Sequence, residues 1–154
     1  MTRPTPGAMA PRFEMTAEDR STVSSASLAG TRHVLYFYPE DDTPGCTRQA
    51  CGLRDRWTDI VATGVEVFGV SPDSVERHVA FREKYALPYR LLADDGHRAA
   101  DDYGVWVEKD SGGSRHQGNE RTTFVIGPDG TVEHVLARVK PDAHAQQLLD
   151  ALAP

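Results

Sequence analysis

The chain has 154 residues, of which 39% are hydrophobic and 26% are charged, and its formal net charge is −6 at pH 7. This length fits one globular domain, and the acidic balance without a basic stripe argues against nucleic-acid binding. No apolar run approaches the roughly 18 residues of a membrane-spanning helix, so we expect no membrane association. Two cysteines are too few for the disulfide framework of a secreted scaffold, which makes the cytoplasm the expected location.

The first residues are rich in Pro, Thr and Ala and lack the apolar core of a signal peptide. We therefore predict a disordered tail over residues 1–9 and a single domain over residues 10–154. Neither internal repeats nor a second domain boundary are visible in the sequence.

Short strand and helix signals alternate along the domain, beginning with a weak hairpin signal that joins 12–16 to 21–24. In chain order we then predict strands at 33–38, 65–70 and 89–93, helices at 44–63, 74–85 and 98–103, a hairpin of 122–126 with 131–138, and a helix at 143–152. Residues 111–120 contain three glycines and no periodicity, so we expect a mobile loop there. The pattern predicts an α/β fold with a central mixed β-sheet flanked by helices on both faces.

The two cysteines, Cys46 and Cys51, stand where the first buried strand gives way to a helix. Thr43 occupies an N-cap position, Pro44 suits the first helical turn, and Gly45 leaves backbone N–H groups accessible. Cys46 therefore falls at the positive end of a helix dipole, which lowers a thiol pKa from its usual value of about 8.5. This context predicts a nucleophilic cysteine; the alternative is that Cys46 is only a small buried hydrophobic side chain.

An acidic pair, residues 41–42, precedes this helix and would oppose a thiolate if it lay close by. We therefore expect a compensating cation, which either Arg48 or the remote Arg121 can supply. On sequence alone, Arg121 suits a strand edge equally well, where it would pair with Glu120 or Glu133. We interpret the acidic doublets as solvated turns: 41–42, 94–95 and 101–102.

Cys51 follows Cys46 by five residues, which on an α-helix places the two Cα atoms roughly 9 Å apart. A disulfide needs a Cα separation below about 7 Å, so the helix must unwind before these cysteines pair. The spacing also differs from that of a Cys-x-x-Cys redox motif. The six histidines are scattered without zinc-ligand spacing, and we predict no metal site.

Longer motifs around the cysteines point to a known family. The segment Pro39-x-x-x-Thr43-x-x-Cys46 resembles the active-site signature of the peroxiredoxins. Its extension through Ala50-Cys51-x-x-Arg54-Asp55 is similar to the bacterioferritin comigratory protein, or peroxiredoxin Q, branch. Further matching motifs, spread over residues 9 to 152, are Ala10-Pro11-x-Phe13, Gly69-Val70-Ser71-x-Asp73-Ser74, Lys84-Tyr85-x-Leu87-Pro88, Tyr103-Gly104-Val105-Trp106 and Arg121-Thr122-Thr123-Phe124.

The resemblance implies a thioredoxin-like fold and a thiol-dependent peroxidase that reduces hydrogen peroxide and organic hydroperoxides in antioxidant defence. Cys46 would be the peroxidatic cysteine and Cys51 the resolving cysteine. Thr43 would hydrogen-bond the thiolate and the peroxide, Pro39 would shield the pocket, and Arg121 would hold the thiolate and polarise the O–O bond. Thioredoxin, with glutaredoxin as a substitute, is the implied reductant. The resemblance also implies a monomer that needs no metal, haem or flavin cofactor.

Two other function classes stay open. A general thiol–disulfide oxidoreductase would reduce protein disulfides without peroxide. A redox sensor would form the disulfide between Cys46 and Cys51 but would turn over slowly, whatever the supply of thioredoxin. Gln49 stands where many members of the family carry Glu, and we assign it no catalytic role.

Overall fold

The computed structural model describes residues 2–154; Met1, the first residue of the predicted tail, lies outside the described residues. The strands are β1 (Glu14–Ala17), β2 (Thr22–Ser24), β3 (His33–Phe37), β4 (Glu66–Ser71), β5 (Arg90–Ala93), β6 (Trp106–Ser111), β7 (Ser114–Asn119), β8 (Thr122–Ile126) and β9 (Val132–Leu136). The helices are α1 (Pro44–Asp55), α2 (Trp57–Val61), α3 (Val75–Tyr85), α4 (Arg98–Asp102) and α5 (His144–Leu152).

A seven-stranded sheet in the order β2-β1-β5-β4-β3-β8-β9 forms the centre of the fold. β3, β4 and β5 run parallel to one another, and the outer strands join them antiparallel. The weak hairpin signal near the N-terminus is confirmed as the pair β1 and β2. The predicted α/β class with a central mixed sheet is also confirmed.

β3 is buried along its whole length because it lies inside the sheet and is covered on both faces. Its alternate side chains face opposite sides, as the pleat of a strand requires. Leu35 and Phe37 join one hydrophobic cluster, to which α4 contributes. Val34 and Tyr36 join a second cluster, to which α1, α3 and α5 contribute. The chain leaves the end of β3 on its way to α1, which packs over this second face.

The single helix predicted over residues 44–63 is two helices in the structure. The break falls at Arg56, whose φ and ψ of −109° and 18° are not helical. Gly64 follows with a φ of +80° and stops the second helix, as the sequence predicts.

The expectation of a mobile loop over residues 111–120 is wrong, because this stretch contributes to a two-stranded hairpin of β6 and β7. Gly112 and Gly113 form its turn, with φ of +60° and +85°, and such a glycine pair favours the turn types that join adjacent strands. The sequence signal was weak because the first four residues of β7 are exposed and the strand lacks apolar alternation.

Residues 2–9, for which a disordered tail is predicted, follow the edge of the sheet. The backbone N–H of Gly7 donates to Val132 O at 2.9 Å, and Arg3 pairs with Glu120 at 2.6 Å. The boundary at residue 10 stays a prediction. Within residues 2–154, no helix combines the length and the apolarity that crossing a membrane requires.

Candidate active site

The end of β3 leads the chain into the helix that carries both cysteines. Thr43 is the N-cap of α1, with an extended φ and ψ of −87° and 155°, and Pro44 is the first helical residue, as predicted. Cys46 lies in the first turn, where backbone N–H groups lack intrahelical acceptors and the helix dipole is positive. Cys46 is only 2% exposed, so this field acts on its sulfur with little screening by water.

Arg121 contacts the sulfur of Cys46 from the segment between β7 and β8. Its Nη1 donates to Cys46 Sγ at 3.2 Å and to Gln49 Oε1 at 2.9 Å. A cation at this distance stabilises the thiolate relative to the thiol. The contact also argues against the alternative in which Cys46 is a purely apolar packing residue.

Gly45 allows this close approach of Arg121. A Cβ atom added to Gly45 would lie 2.7 Å from Arg121 Nη2, which is closer than real Cβ contacts come. The small residue before the cysteine therefore makes room for the guanidinium as well as exposing backbone N–H groups.

Of the two cations considered from sequence, the structure places Arg121 and not Arg48 at the cysteine. Arg48 is exposed and pairs with Asp142 at 3.1 Å. Glu120, a possible strand-edge partner for Arg121, instead accepts a hydrogen bond from Arg3 at 2.6 Å. Arg121, rather than Arg48, is therefore the cation at Cys46, and it contacts the sulfur instead of pairing with Glu120.

Lys109 of β6 supplies a second positive charge near Cys46, which sequence reasoning missed. Its side chain lies over Gly118 of β7, where an added Cβ would be 3.8 Å from Lys109 Cε. Burial lowers the pKa of Lys109, Arg121 lowers it further, and Cys46 raises it. Lys109 therefore lies within electrostatic reach of both the guanidinium and the sulfur.

Gln49 supports Arg121 with its polar side chain, although no catalytic role is assigned to it from sequence. Its Oε1 accepts from Arg121, its Nε2 lies 3.1 Å from His144 Nδ1, and His144 Nε2 lies 2.8 Å from Thr123 Oγ1. Burial, followed by repulsion from Arg121, lowers the pKa of His144 to about 4. His144 is therefore neutral, and its Nδ1 accepts from the Gln49 amide, which fixes the amide oxygen toward Arg121. The one sequence signal was position, since Gln49 and Cys46 are three apart on one helix face.

Thr43 and Pro39 stand on the segment that joins β3 to α1, and within residues 2–154 no hydrogen bond joins either of them to the sulfur of Cys46. The Thr43 side chain makes no capping hydrogen bond, and its hydroxyl donates to Glu40 O at 3.0 Å. Pro39 follows the strand end and is half-buried. The roles assigned to these two residues stay predictions.

Cys51 lies on the same continuous helix as Cys46, and both cysteines are free thiols. Burial raises the pKa of Cys51, with a smaller raising effect from Asp55 and an opposing effect from Arg54. The helix geometry keeps the two Cα atoms roughly 9 Å apart, so pairing requires local unwinding.

Two of the acidic doublets predicted to be solvated are partly buried. Asp41 and Asp94 are each 2% exposed. Asp94 accepts the backbone N–H groups of Ala99 and Ala100, each at 2.9 Å, and so caps the start of α4. Charge composition alone did not distinguish these buried carboxylates from exposed ones.

A cleft of about 1260 Å³ lies away from this site, between the β1–β2 hairpin and the turn that joins β8 to β9. Phe13, Met15 and Tyr103 are among its lining residues, and none of the predicted site residues lines it. The chemistry thus concentrates at the α1 N-terminus rather than in this cleft.

A buried cysteine in the first turn of a helix, with a guanidinium against its sulfur on a mixed sheet, defines a thioredoxin-fold thiol peroxidase. Residues 6–135 match the profile of the AhpC/TSA family. The chain belongs to that family, and within it to the Bcp, or peroxiredoxin Q, branch of the peroxiredoxins.

Curated relatives and solved structures agree on this branch. The chain is 42% identical to a protein named putative peroxiredoxin bcp from Coxiella burnetii over 146 residues, covering 95% of this chain and 97% of the relative. It is 40% identical to peroxiredoxin Bcp of Escherichia coli K12, covering 95% and 94% of the two chains. A structure of Xylella fastidiosa PrxQ is similar with a TM-score of 0.90, 26% identity and coverage of 99% and 97%.

A structure of the bacterioferritin comigratory protein from Xanthomonas campestris is also similar, with a TM-score of 0.84, 31% identity and coverage of 91% and 89%. The thioredoxin-like fold and the peroxidase class expected from the sequence are therefore confirmed. The protein is a peroxidase that acts on peroxides with electrons from a thiol reductant.

Proposed function

We propose that the chain is a two-cysteine peroxidase for hydrogen peroxide and organic hydroperoxides, in which Cys46 is peroxidatic and Cys51 is resolving. The observation that carries this proposal is the 3.2 Å contact between Arg121 Nη1 and Cys46 Sγ at the start of α1. The similar Xanthomonas campestris protein is described as having alkyl peroxide reduction activity, which supports including organic hydroperoxides.

In the first step, the Cys46 thiolate attacks the terminal oxygen of a hydroperoxide and the O–O bond breaks. Cys46 becomes a sulfenic acid, and the leaving alkoxide or hydroxide takes up a proton. Sulfur loses the two electrons that the peroxide gains. Arg121 holds the thiolate and offers further N–H groups to the oxygen on which negative charge develops. Thr43 turns its hydroxyl from Glu40 toward the peroxide, and Pro39 shields the pocket from water.

In the second step, α1 unwinds between the cysteines and Cys51 attacks the sulfenic sulfur of Cys46. An S–S bond forms and water leaves. The raised pKa of Cys51 keeps it a thiol while the helix is folded, because its burial disfavours the charged form. Unwinding removes that burial and so makes Cys51 more reactive when its sulfur comes within reach.

An external dithiol completes the cycle by reducing the disulfide to two thiols. Thioredoxin is the proposed dithiol, with glutaredoxin as a substitute, because two cysteines on one short segment become an accessible disulfide after unwinding. The proposed enzyme is a monomer in the cytoplasm, where a reducing environment sustains such recycling. This activity would serve antioxidant defence.

The test follows peroxide consumption with thioredoxin, thioredoxin reductase and NADPH for the wild type, Cys46→Ser and Cys51→Ser. We expect Cys46→Ser to be inactive, because no thiolate faces Arg121. Cys51→Ser should react once with peroxide and then stop, because its sulfenic acid has no internal partner. Parallel assays with glutaredoxin and with hydrogen peroxide or cumene hydroperoxide compare the reductants and substrates.

The same assay separates the other function classes. A wild type that forms the disulfide but turns over slowly at any thioredoxin concentration would be a redox sensor. A wild type that reduces insulin disulfides in the absence of peroxide would be a general oxidoreductase. Either result contradicts the proposed cycle.

A further inference from the structure

The loop before Cys46 contains a buried carboxylate that the reaction does not use. Asp41 is 2% exposed, and the side chain facing it, His78 of α3, is 0% exposed. His78 Nδ1 lies 2.6 Å from Asp41 Oδ2, and His78 Nε2 lies 3.0 Å from the carbonyl oxygen of Leu92 in β5. One imidazole thus joins the loop to a helix and to a strand of the sheet.

The partners of His78 determine where its protons are. A carbonyl oxygen only accepts, so Nε2 carries a hydrogen and donates it to Leu92. The short contact between Nδ1 and Asp41 Oδ2 then needs one more proton, which makes the pair either an imidazolium with a carboxylate or an imidazole with a carboxylic acid. Both forms are net neutral and leave no polar atom of this contact unsatisfied.

Asp41 has further hydrogen bonds that complete its environment. Its Oδ1 accepts from the Tyr38 hydroxyl at 2.5 Å, and its backbone N–H donates to Asp73 Oδ2 at 2.8 Å. Asp73 Oδ2 also accepts from Ser71 at 2.6 Å. These hydrogen bonds offset the cost of burying the Asp41 carboxyl group, whereas removing one partner leaves the other buried and unpaired.

The ligand-type atoms of Asp41, Asp73 and His78 lie within 4.8 Å of one another, yet they do not form a metal site. Two ligands of one tetrahedral metal stand about 3.3 Å apart, whereas Asp41 and His78 are in direct contact at 2.6 Å. Arg77 also pairs with Asp73 at 3.2 Å, which places a competing cation in the cluster.

Helix α3 holds the residues on either side of Asp41 as well. Arg77 pairs with Glu40 at 3.2 Å. Asp42 has a φ of +60°, which is unfavourable for a non-glycine residue. Its carboxylate accepts from Lys84 Nζ and from the Tyr85 hydroxyl, each at 2.8 Å. Three consecutive loop residues are therefore tied to one helix, and only the central tie is fully buried.

We propose that the Asp41–His78 contact is a positioning pair that sets the conformation of the loop between Pro39 and Thr43 for the reaction of Cys46 with peroxide. This inference rests on the proposed role of Cys46. His78 touches neither sulfur nor peroxide. It acts through the loop, whose far end is the N-cap of α1, and so orients the Thr43 hydroxyl and the first turn of the helix relative to Arg121.

Asp41→Ala and Asp41→Asn form a matched pair of variants. Alanine removes the tie to His78. Asparagine preserves it, because the amide N–H can donate to His78 Nδ1 while the amide oxygen accepts from Tyr38. Glu76→Ala is the control on the same helix, since Glu76 is exposed and its pair with Arg20, at 3.5 Å, is on the surface.

Two second-order rate constants of the folded proteins are measured by stopped flow, one for Cys46 with hydrogen peroxide and one for Cys46 with iodoacetamide. Peroxide reduction needs the loop geometry, whereas alkylation needs only an accessible thiolate. We expect Asp41→Ala to lower the peroxide rate constant by about tenfold or more and the alkylation rate constant by much less. Asp41→Asn and Glu76→Ala should stay near the wild type in both.

If a single variant fails to fold, the double variant Asp41→Ala/His78→Leu provides a second measurement. It removes both buried partners and therefore leaves no buried charge unpaired. We expect it to recover stability but not the peroxide rate constant. If Asp41→Ala or the double variant reacts with peroxide as fast as the wild type, the pair is only structural and the inference is wrong. Failure of the proposed function is separately visible, because the wild type itself would then not react with peroxide at Cys46.

Discussion

The chain on the two sides of Cys46 is held in contrasting ways. Before it, residues 40–42 each form a side-chain contact with α3, and the central one is buried. After it, the stretch up to Cys51 has two buried polar ties, the bonds of Gln49 and a 3.1 Å bond from Tyr89 to the Ala50 carbonyl. Cys51 itself is half-buried, and a Cβ at Gly52 would meet nothing within 4 Å.

This contrast matches the two steps of the proposed cycle. Attack on peroxide needs a fixed thiolate, a fixed cation and a fixed loop, since small displacements cost reaction rate. Disulfide formation needs the opposite, because the helix between the cysteines must open. A fixed loop and a helix that can unwind therefore need not be the same segment. In this chain the fixed loop precedes Cys46, and the helix that must unwind follows it.

Of the changes considered, removal of the Arg121 guanidinium should have the largest effect, and it should slow the reaction of Cys46 with peroxide. We expect Arg121→Met to lower the rate constant of Cys46 with peroxide by about 10²–10³-fold, because a buried donor to the developing charge is lost. Arg121→Lys should restore part of this rate, since it keeps the charge but not the planar geometry. Stopped-flow measurement of Cys46 oxidation provides the values.

Arg48→Met is the matched control, because it removes the other nearby arginine, which is exposed and pairs with Asp142. A similar loss of rate in both variants would mean that general positive charge matters and that the contact of Arg121 with the sulfur does not.

Lowering the pH should reduce the free energy of unfolding through His144, which contacts Gln49 on the helix between the two cysteines. Its pKa is about 4 in the folded protein and about 6.5 when unfolded, so the unfolded chain binds the proton more readily. Stability from this group is therefore complete above pH 6.5 and is lost as the pH falls toward 4. The full loss amounts to about 3.5 kcal/mol, since the pKa differs by about 2.5 units between the two states and each unit corresponds to roughly 1.4 kcal/mol.

Urea unfolding between pH 7 and 4 measures this loss, and His144→Asn supplies the comparison because it does not titrate. We expect a smaller fall in the free energy of unfolding for the variant than for the wild type. Parallel curves for the two proteins would contradict the buried neutral state of His144.

A stiffer α1 should have a small effect, which is confined to the rate of disulfide formation between Cys46 and Cys51. Gly52→Ala adds a methyl group where nothing lies within 4 Å and raises helix propensity by about 0.8–1 kcal/mol. We expect disulfide formation to slow by about fivefold, since the helix must unwind, while the peroxide step is unchanged. Rapid-quench trapping of the sulfenic acid and of the disulfide measures both steps. An unchanged rate of disulfide formation would count against unwinding.

Much of the fold could be predicted from local pattern. The buried run of β3, the cap at Thr43 and the glycine stop at Gly64 are signals that neighbouring residues carry, and the structure has each of them. The β6–β7 hairpin was missed because its strands are largely polar, and the single long helix was wrong because nothing in the sequence marks the break at Arg56.

The candidate site was predictable only where a motif names a residue. Cys46 and Arg121 are together as the resemblance implies, although they are 75 positions apart. Asp41 and Asp42 show what sequence cannot resolve: the two are adjacent and chemically identical, yet one is buried against His78 and the other is exposed. The partners that decide this lie on α3, 37 or more positions away.

The central place of β3 has a consequence for native-state hydrogen exchange. Its strand is bonded on both edges by β4 and β8 and covered on both faces, so its amides should exchange only when the whole domain unfolds. The amides between Cys46 and Cys51 should exchange through a local opening of much lower free energy. The active-site loop is therefore anchored to the slowest-exchanging part of the protein, and the segment that must open for disulfide formation belongs to a separate, faster-exchanging unit.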